Sequence, residues 1–387
     1  MKHKFIAKKY WKDQTTPMGE VDDLVKLYSN VINLSLGDPD QTTDEGVIQF
    51  ALQEALQGHT HYTDFRGDPE LRQEIRNFYR DDFKTLVDDP EIMVTASACL
   101  AVYLALEATL DPGDEVILPA PYFTPYYQQV ELAGGIPVEL PTYEEENFQV
   151  DLKRLEAAIT DRTRAIIVNS PTNPTGAVFS EETLQLIGDI AIKRDLLIIA
   201  DEVYQAFVFN GDFQSLITID DIRDRLVVVN TFSKDYQMTG WRVGHMIAPR
   251  EIIRICQQIN ENVVFTPSSV SQRAALYALR NRHTLLAQSH ELYRERVSYA
   301  ARRIQQIPWM SVLEPQGTFY LFVNIKKTGL SSQEVSKMIL HQAKVLTIPG
   351  NSFGNSGEGY LRIACTVSQE KLEEAFDRIE KIQLPES

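Results

Sequence analysis

Leu196-Leu-Ile-Ile-Ala-Asp201-Glu-Val-Tyr204 is the stretch on which the fold turns: a short apolar run that ends in carboxylates and a phenol. A run apolar at every position meets water on neither face, which is what a strand in the middle of a parallel sheet requires. Working outward, Glu115-Val-Ile-Leu118, Ala165-Ile-Ile-Val168 and Leu226-Val-Val-Val229 repeat the pattern. Each is followed by polar residues, and loops with Gly, Pro or Asn and stretches of helical periodicity separate them from about residue 90 to 250. The alternation predicts an α/β fold with a mostly parallel sheet covered by helices. In such sheets ligands sit beyond the carboxyl ends of the strands.

The C-terminal part reads differently. Thr318-Phe-Tyr-Leu-Phe-Val323 and Tyr360-Leu-Arg-Ile-Ala364 are strand-like and interleave with helices. Ser331 to Glu334 reads as a capping box, and Ser368 caps an acidic first turn leading into Leu372, Phe376 and Ile379. A smaller α+β domain is expected there.

A chain of 387 residues can bury about three quarters of its unfolded surface, enough for a sheltered site. The net charge of -16 repels phosphate backbones and anionic membrane surfaces, so neither nucleic acid nor membrane is an expected partner. An anionic substrate therefore needs a local cluster of Arg and Lys. Cys99, Cys256 and Cys365 are too few and too scattered for a disulfide framework or a metal site, which points to a reducing, cytoplasmic compartment. The basic N-terminus is interrupted by charges before a signal peptide's apolar run, and no apolar run approaches the ~20 residues of a membrane span. Glu144-Glu145-Glu146 is read as a solvated loop.

Four strand ends deliver Pro119-Ala-Pro-Tyr-Phe123, Asn169-Ser-Pro-Thr-Asn173-Pro-Thr-Gly176, Asp201-Glu-Val-Tyr204 and Thr231-Phe-Ser-Lys234 running on to Arg242. Pyridoxal phosphate needs that set: an amine for its aldehyde, an anion for its ring nitrogen, donors for its phenolic oxygen, a ring to stack on and a cation for its phosphate. Lys234, desolvated after an apolar strand, is the amine that would carry the cofactor as an imine. Asp201 would keep the ring nitrogen protonated, Tyr204 and Asn173 would donate to the phenolic oxygen, and Phe123 would stack. Arg242 and Ser233 would clamp the phosphate, with amides at Ser97, Ala98 and Cys99 opening the helical pattern Leu100 to Leu106 as a further cradle. Taken singly, these are a solvated lysine, a capping aspartate, a turn asparagine and a core phenylalanine. Together they favour the cofactor.

With those residues in place the chain resembles the class I/II aminotransferases of fold type I, from about Leu34-Ser-Leu-Gly37-Asp-Pro-Asp40 to the C-terminal helix. Ser233-Lys234 with Gly240-Trp241-Arg242, Asn173-Pro-Thr-Gly176 and Asp201-Glu-Val-Tyr204 stand in family order. The resemblance implies a seven-stranded sheet in a large cofactor domain, residues 46–282, and a small domain built from 1–45 and 283–387. It implies a homodimer in which Tyr62 reaches the phosphate of the neighbouring subunit. Arg362 would grip the substrate α-carboxylate, the Gly37 backbone would approach it, and Asn173 would also contact the substrate. The sequence departs from the family at Cys99, where many relatives have a polar residue and some aspartate-specific ones a lysine, and at Phe123, where Trp or Tyr is frequent.

The implied reaction is transfer of an amino group from an L-amino acid to a 2-oxo acid, with Lys234 as anchor and proton carrier and Asp201 and Tyr204 beside it. A C–S or other β-lyase on the same fold is the alternative chemistry. A non-catalytic sensor would need an output module, and none is visible. Tyr10, Trp11 and Tyr28 are N-terminal aromatics placed to reach a substrate pocket, or otherwise solvated or in the core.

Overall fold

The computed structural model describes residues 3–7, 10 and 28–385. Trp11 lies outside the described residues. The chain enters through β1 (Ile32–Asn33) and the helices α1 (Glu45–Leu56) and α2 (Pro69–Phe83). It then lays down β2 (Ile92–Thr95), α3 (Ala98–Thr109), β3 (Glu115–Ala120), α4 (Pro125–Leu132), β4 (Ile136–Pro141), α5 (Leu152–Ala158) and β5 (Thr163–Asn169). After these come α6 (Glu181–Arg194), β6 (Leu197–Asp201), β7 (Leu226–Thr231) and β8 (Gly244–Ile247). The seven strands β2 to β8 form one sheet in the order β2-β8-β7-β6-β5-β3-β4, parallel except for β8.

The uninterrupted apolar runs are explained by two equally dry faces. Val116, Leu118, Ile167, Ile199, Val227 and Val229 enter one core. Their sequence neighbours Ile117, Ile166, Val168, Ile198, Ala200 and Val228 enter the other. Strand period two therefore separates two cores instead of core from solvent. Side chains of Asp44, Asp68, Ser97 and Ser180 accept hydrogen bonds from the first-turn amides of α1, α2, α3 and α6, fixing where those helices begin.

Beyond the sheet follow α7 (Arg250–Val263), α8 (Ser269–Arg280) and the 24-residue α9 (Arg282–Gln305). They lead to β9 (Tyr320–Asn324), α10 (Ser332–Ala343), β10 (Val345–Leu346), β11 (Ile348–Pro349), β12 (Tyr360–Ala364) and α11 (Gln369–Ile379). β11, β12 and β9 make a small antiparallel sheet, and β1 pairs in parallel with β10, so the N-terminal segment is joined to the C-terminal part of the chain. Leu321, Val323, Leu361 and Ile363 belong to the same continuous core as Val116 and Ile199. The capping box of Ser331 and Glu334 is present, and Ser368 caps α11.

Two differences from the sequence reading have local causes. β9 begins at Tyr320 instead of Thr318, because Thr318 takes a left-handed backbone with φ of 60° and its hydroxyl accepts from the Tyr320 amide. The strands β2, β4 and β8 escaped the apolar-run reading because β2 and β8 are only four residues each, β8 opening on Gly244, and β4 is an edge strand carrying Pro137 and Pro141. Ile198 and Ile199 are both wholly buried on opposite faces of β6. Ile198→Ala and Ile199→Ala are each expected to cost about 2–5 kcal/mol, read as comparable falls in thermal midpoint. A one-sided sheet would make one of the two nearly neutral.

Candidate active site

The polar ends of the strands converge because the sheet changes direction between β3 and β5: from β3 the chain moves outward to β4, then returns to build β5, β6 and β7 on the other side. Phe123 and Tyr126 follow β3, Asn169 and Asn173 close β5, Asp201 and Tyr204 close β6, and Ser233 and Lys234 follow β7. With Ser97, Ala98 and Cys99 at the start of α3, and Thr239 and Arg242 beyond Lys234, they line one cavity of about 170 Å³. That space is on the scale of a small ring compound.

Lys234 points its amine at the backbone of another part of the chain: Nζ donates to the Gly37 carbonyl at 2.5 Å and lies 5.9 Å from the Phe319 ring. Asp201 is buried. It accepts from the Tyr126 hydroxyl at 2.5 Å and the Val203 amide at 3.3 Å, while Asn169 donates to its carbonyl at 2.9 Å. Burial lifts its carboxyl to about 6 against the pull of those hydrogen bonds and of the Lys234 charge. Behind it, burial lifts Glu202 to about 7, although its carboxylate accepts from the Ser215 hydroxyl and the Leu216 amide.

At the other end of the cavity Arg242 donates to the Thr239 carbonyl at 2.8 Å and reaches Ser233 Oγ at 3.5 Å. Ser97 caps α3, whose first amides have no acceptor within the helix and favour an anion. Cys99 accepts from Gln129 through both its carbonyl and its sulfur.

Arg362, on β12, is buried beside this cavity: Nη1 donates to Asn173 Oδ1 at 2.9 Å, Nη2 to the Ser35 carbonyl at 2.5 Å, and Nε is buried with no partner. Its guanidinium lies 4.3 Å from the Tyr320 ring and 4.8 Å from that of Phe353. Among the described residues no carboxylate lies within 4.0 Å of a nitrogen of Lys234, Arg242 or Arg362. In a chain with 54 acidic against 38 basic residues, three cations around one cavity with no ion-paired carboxylate form a local anion site. Gly37 is required by space: a Cβ there would fall 1.7 Å from the Tyr320 hydroxyl.

Tyr62 stands apart from the cavity. Its ring is 80% exposed and packs edge-on against Phe265 at 4.7 Å, next to exposed Phe65. Three contributors were missed in the sequence. Tyr126 follows Phe123 by one helix entry, and Pro125 at the first helical position is the signal that would have placed it at a helix start. Asn169, the last residue of β5, positions Asn173 by accepting its amide at 2.8 Å. Tyr320 accepts from the Tyr204 hydroxyl at 3.3 Å, and nothing in a strand-like Phe-Tyr-Leu-Phe run distinguishes it from core.

The family described as aminotransferase class I and II matches residues 29–379. The chain is 38% identical over 365 residues to aromatic-amino-acid aminotransferase 2 of Thermococcus litoralis and 39% identical over 364 residues to aspartate aminotransferase of Pyrococcus abyssi, with 93% of each chain covered in both cases. The crystal structure of an aromatic aminotransferase from Pyrococcus horikoshii superimposes with a TM-score of 0.89 at 37% identity, covering 94% of this chain and 98% of that one.

The raised carboxyls have a consequence for stability. In the fold Asp201 and Glu202 retain protons up to about pH 6 and 7 that the unfolded chain releases near pH 4, so their contribution is complete below pH 4 and is lost as pH rises through 6 and 7. Asp201→Asn and Glu202→Gln are each expected to flatten the fall in thermal midpoint of the ligand-free protein between pH 4 and 8, a difference on the order of a few kcal/mol at the alkaline end. An unchanged slope in both variants would contradict the assignment.

Proposed function

The chain belongs to the class I and II aminotransferase family and transfers amino groups between amino acids and 2-oxo acids; from that premise we propose that it works with pyridoxal 5'-phosphate held on Lys234. The observation that carries the reading is a set of three cations in an acidic chain, Lys234 and Arg242 in the wall of one cavity and Arg362 beside it, none with a carboxylate within 4.0 Å among the described residues. A cofactor with an aldehyde, a phosphate and a ring nitrogen fits the donors present: an amine, a cation beside a serine and a helix N-terminus, and a buried carboxyl. When bound, pyridoxal phosphate supplies a carbon that condenses with amines and a ring that takes up the electrons released at the substrate Cα.

Each residue then has a task. Lys234 would anchor the cofactor through its amine, and the same amine, when free, would serve as base at the substrate Cα and as acid in the return direction. Asp201 holds a proton on the ring nitrogen, and its own carboxyl is oriented by Tyr126 and the Val203 amide. Arg242, Ser233 and the amides at Ser97, Ala98 and Cys99 take the phosphate. Asn173 would donate toward the phenolic oxygen, as would the Tyr204 hydroxyl on turning from Tyr320, and Phe123 would cover the ring. Arg362 binds the α-carboxylate, its unpartnered Nε adding a donor, close to the Gly37 backbone. The relatives are named for aromatic amino acids and for aspartate, side chains with nothing in common, so the proposal commits to the amine and carboxylate that all such substrates share.

We assign the working unit to a homodimer, with Tyr62 reaching the partner's phosphate site. The exposed ring of Tyr62, lying with Phe65 and Phe265 in one apolar patch, supports this. The division into 46–282 and 1–45 with 283–387 is supported by the placement of the large sheet between residues 92 and 247 and by the pairing of β1 with β10. No described helix is long and apolar enough to cross a membrane. The three free cysteines support a cytoplasmic home.

Lys234→Ala is expected to lose about 10⁴-fold or more in multiple-turnover amino transfer, followed as 2-oxo acid formed from an amino donor. Substantial turnover in that variant would end the assignment. Arg362→Met is expected to raise KM for amino acid and oxo acid alike by about 100-fold, because both present the same carboxylate. An effect on only one of the two would place the carboxylate elsewhere.

A further inference from the structure

We propose that Arg296 is a positioning residue for this site: paired with Asp40, it locks Ser35–Asp38 as a strap that holds the three cavity cations in mutual register. The inference rests on the roles assigned above to Arg362 and Lys234. Within four residues the strap meets two of the cations directly and the third through Thr239. The Ser35 carbonyl accepts from Arg362, the Gly37 carbonyl accepts from Lys234, and the Asp38 carboxylate accepts at 2.7 Å from the hydroxyl of Thr239, whose carbonyl holds Arg242.

The strap is fastened at its far side. Arg296, buried on α9, meets Asp40 at two points, Nη1 to Oδ1 at 2.7 Å and Nη2 to Oδ2 at 3.2 Å. The Asp40 amide donates to the Thr366 carbonyl at 3.0 Å, the Thr366 hydroxyl to the Leu36 carbonyl at 2.8 Å, and the Ala364 amide to the Leu34 carbonyl at 2.8 Å. Every fastening is thus made to residues far along the chain, and none of them belongs to the cavity wall. A second route runs through packed rings, from Arg296 over Tyr293 at 5.7 Å, to Phe319 at 5.1 Å and on to Lys234.

Stability alone explains this pair poorly. Arg296 is buried but the Asp40 side chain is 27% exposed, a setting in which an ion pair contributes little to folding, and the Nε of Arg296 is buried with no partner. What two parallel hydrogen bonds do supply is a fixed angle and distance. The angle at which the Arg362 fork is held decides how well it meets a carboxylate, so a fixed strap is worth more to carboxylate binding than to folding.

The test uses the holoenzyme. For Arg296→Met, KM for amino acid and oxo acid is expected to rise about tenfold with kcat lowered less than threefold. The dissociation constant for propanoate, an unreactive carboxylate probe, should rise by the same factor, and exchange of the Asp40 amide should quicken about tenfold. Arg296→Lys, which keeps one contact, should fall between. If KM and propanoate binding stay within about twofold of wild type while the thermal midpoint drops, the pair is structural only and the proposal is overturned. Should Arg296→Met fail to fold, Thr366→Val decides: it removes one fastening without stranding a charge, and an unchanged propanoate affinity there overturns the proposal too. Arg362→Met is the control, since unchanged propanoate binding in that variant would remove the carboxylate assignment and the strap's role with it.

Discussion

Everything at the site depends on one constraint: strands dry on both faces can carry polar side chains only where they end. β5, β6 and β7 lie side by side in parallel, with Asn169 directly opposite Asp201 and Asp201 opposite Val229, so their polar ends reach the same level. The helices close both faces, and the only exit for hydrogen-bonding groups is the rim. Chemistry gathers there because hydrophobic burial leaves it nowhere else to go, before any selection among particular side chains.

The electrostatics of the rim run against those of the whole molecule. An acidic chain surrounds a cavity whose wall carries Lys234 and Arg242 against a single carboxyl, Asp201, which burial raises to about 6. Burial here separates the two signs. Arg362 is held by neutral acceptors, a carbonyl and an amide oxygen, which satisfy part of its hydrogen bonding without neutralising its charge. A carboxylate in either position would occupy the site permanently with an internal anion.

How much of this was legible in the sequence follows from which signals are local. The strands β3, β5, β6 and β7 announced themselves as apolar runs, and the residues that close them could be read directly. Lys234, Asp201, Asn173 and Arg242 stand on consecutive strand ends, so their grouping followed from topology. Ser35, Arg296 and Tyr320 did not, because their roles arise from contacts with distant parts of the chain and their own neighbourhoods look like a turn, a helix surface and a core strand. Tyr126 lay in between: its place after Pro125 was readable, its partnership with Asp201 was not. The backbone reversal at Thr318 was invisible because a threonine in an apolar run gives no hint of a left-handed conformation.

The strap also has a meaning in time. The contacts of Ser35 and Leu36 with Arg362 and Thr366, like the pairing of β1 with β10, join residues more than 300 positions apart. A chain emerging from the ribosome has completed the strands that end at Asn169, Asp201 and Thr231, and the segment through Arg242, long before Arg362 is synthesised. The half of the cavity assigned to the cofactor can therefore form first, while the strap waits unfastened for the last strand. Assembly of the substrate-facing half is then a late event of high contact order, carrying the slow closure of the whole chain.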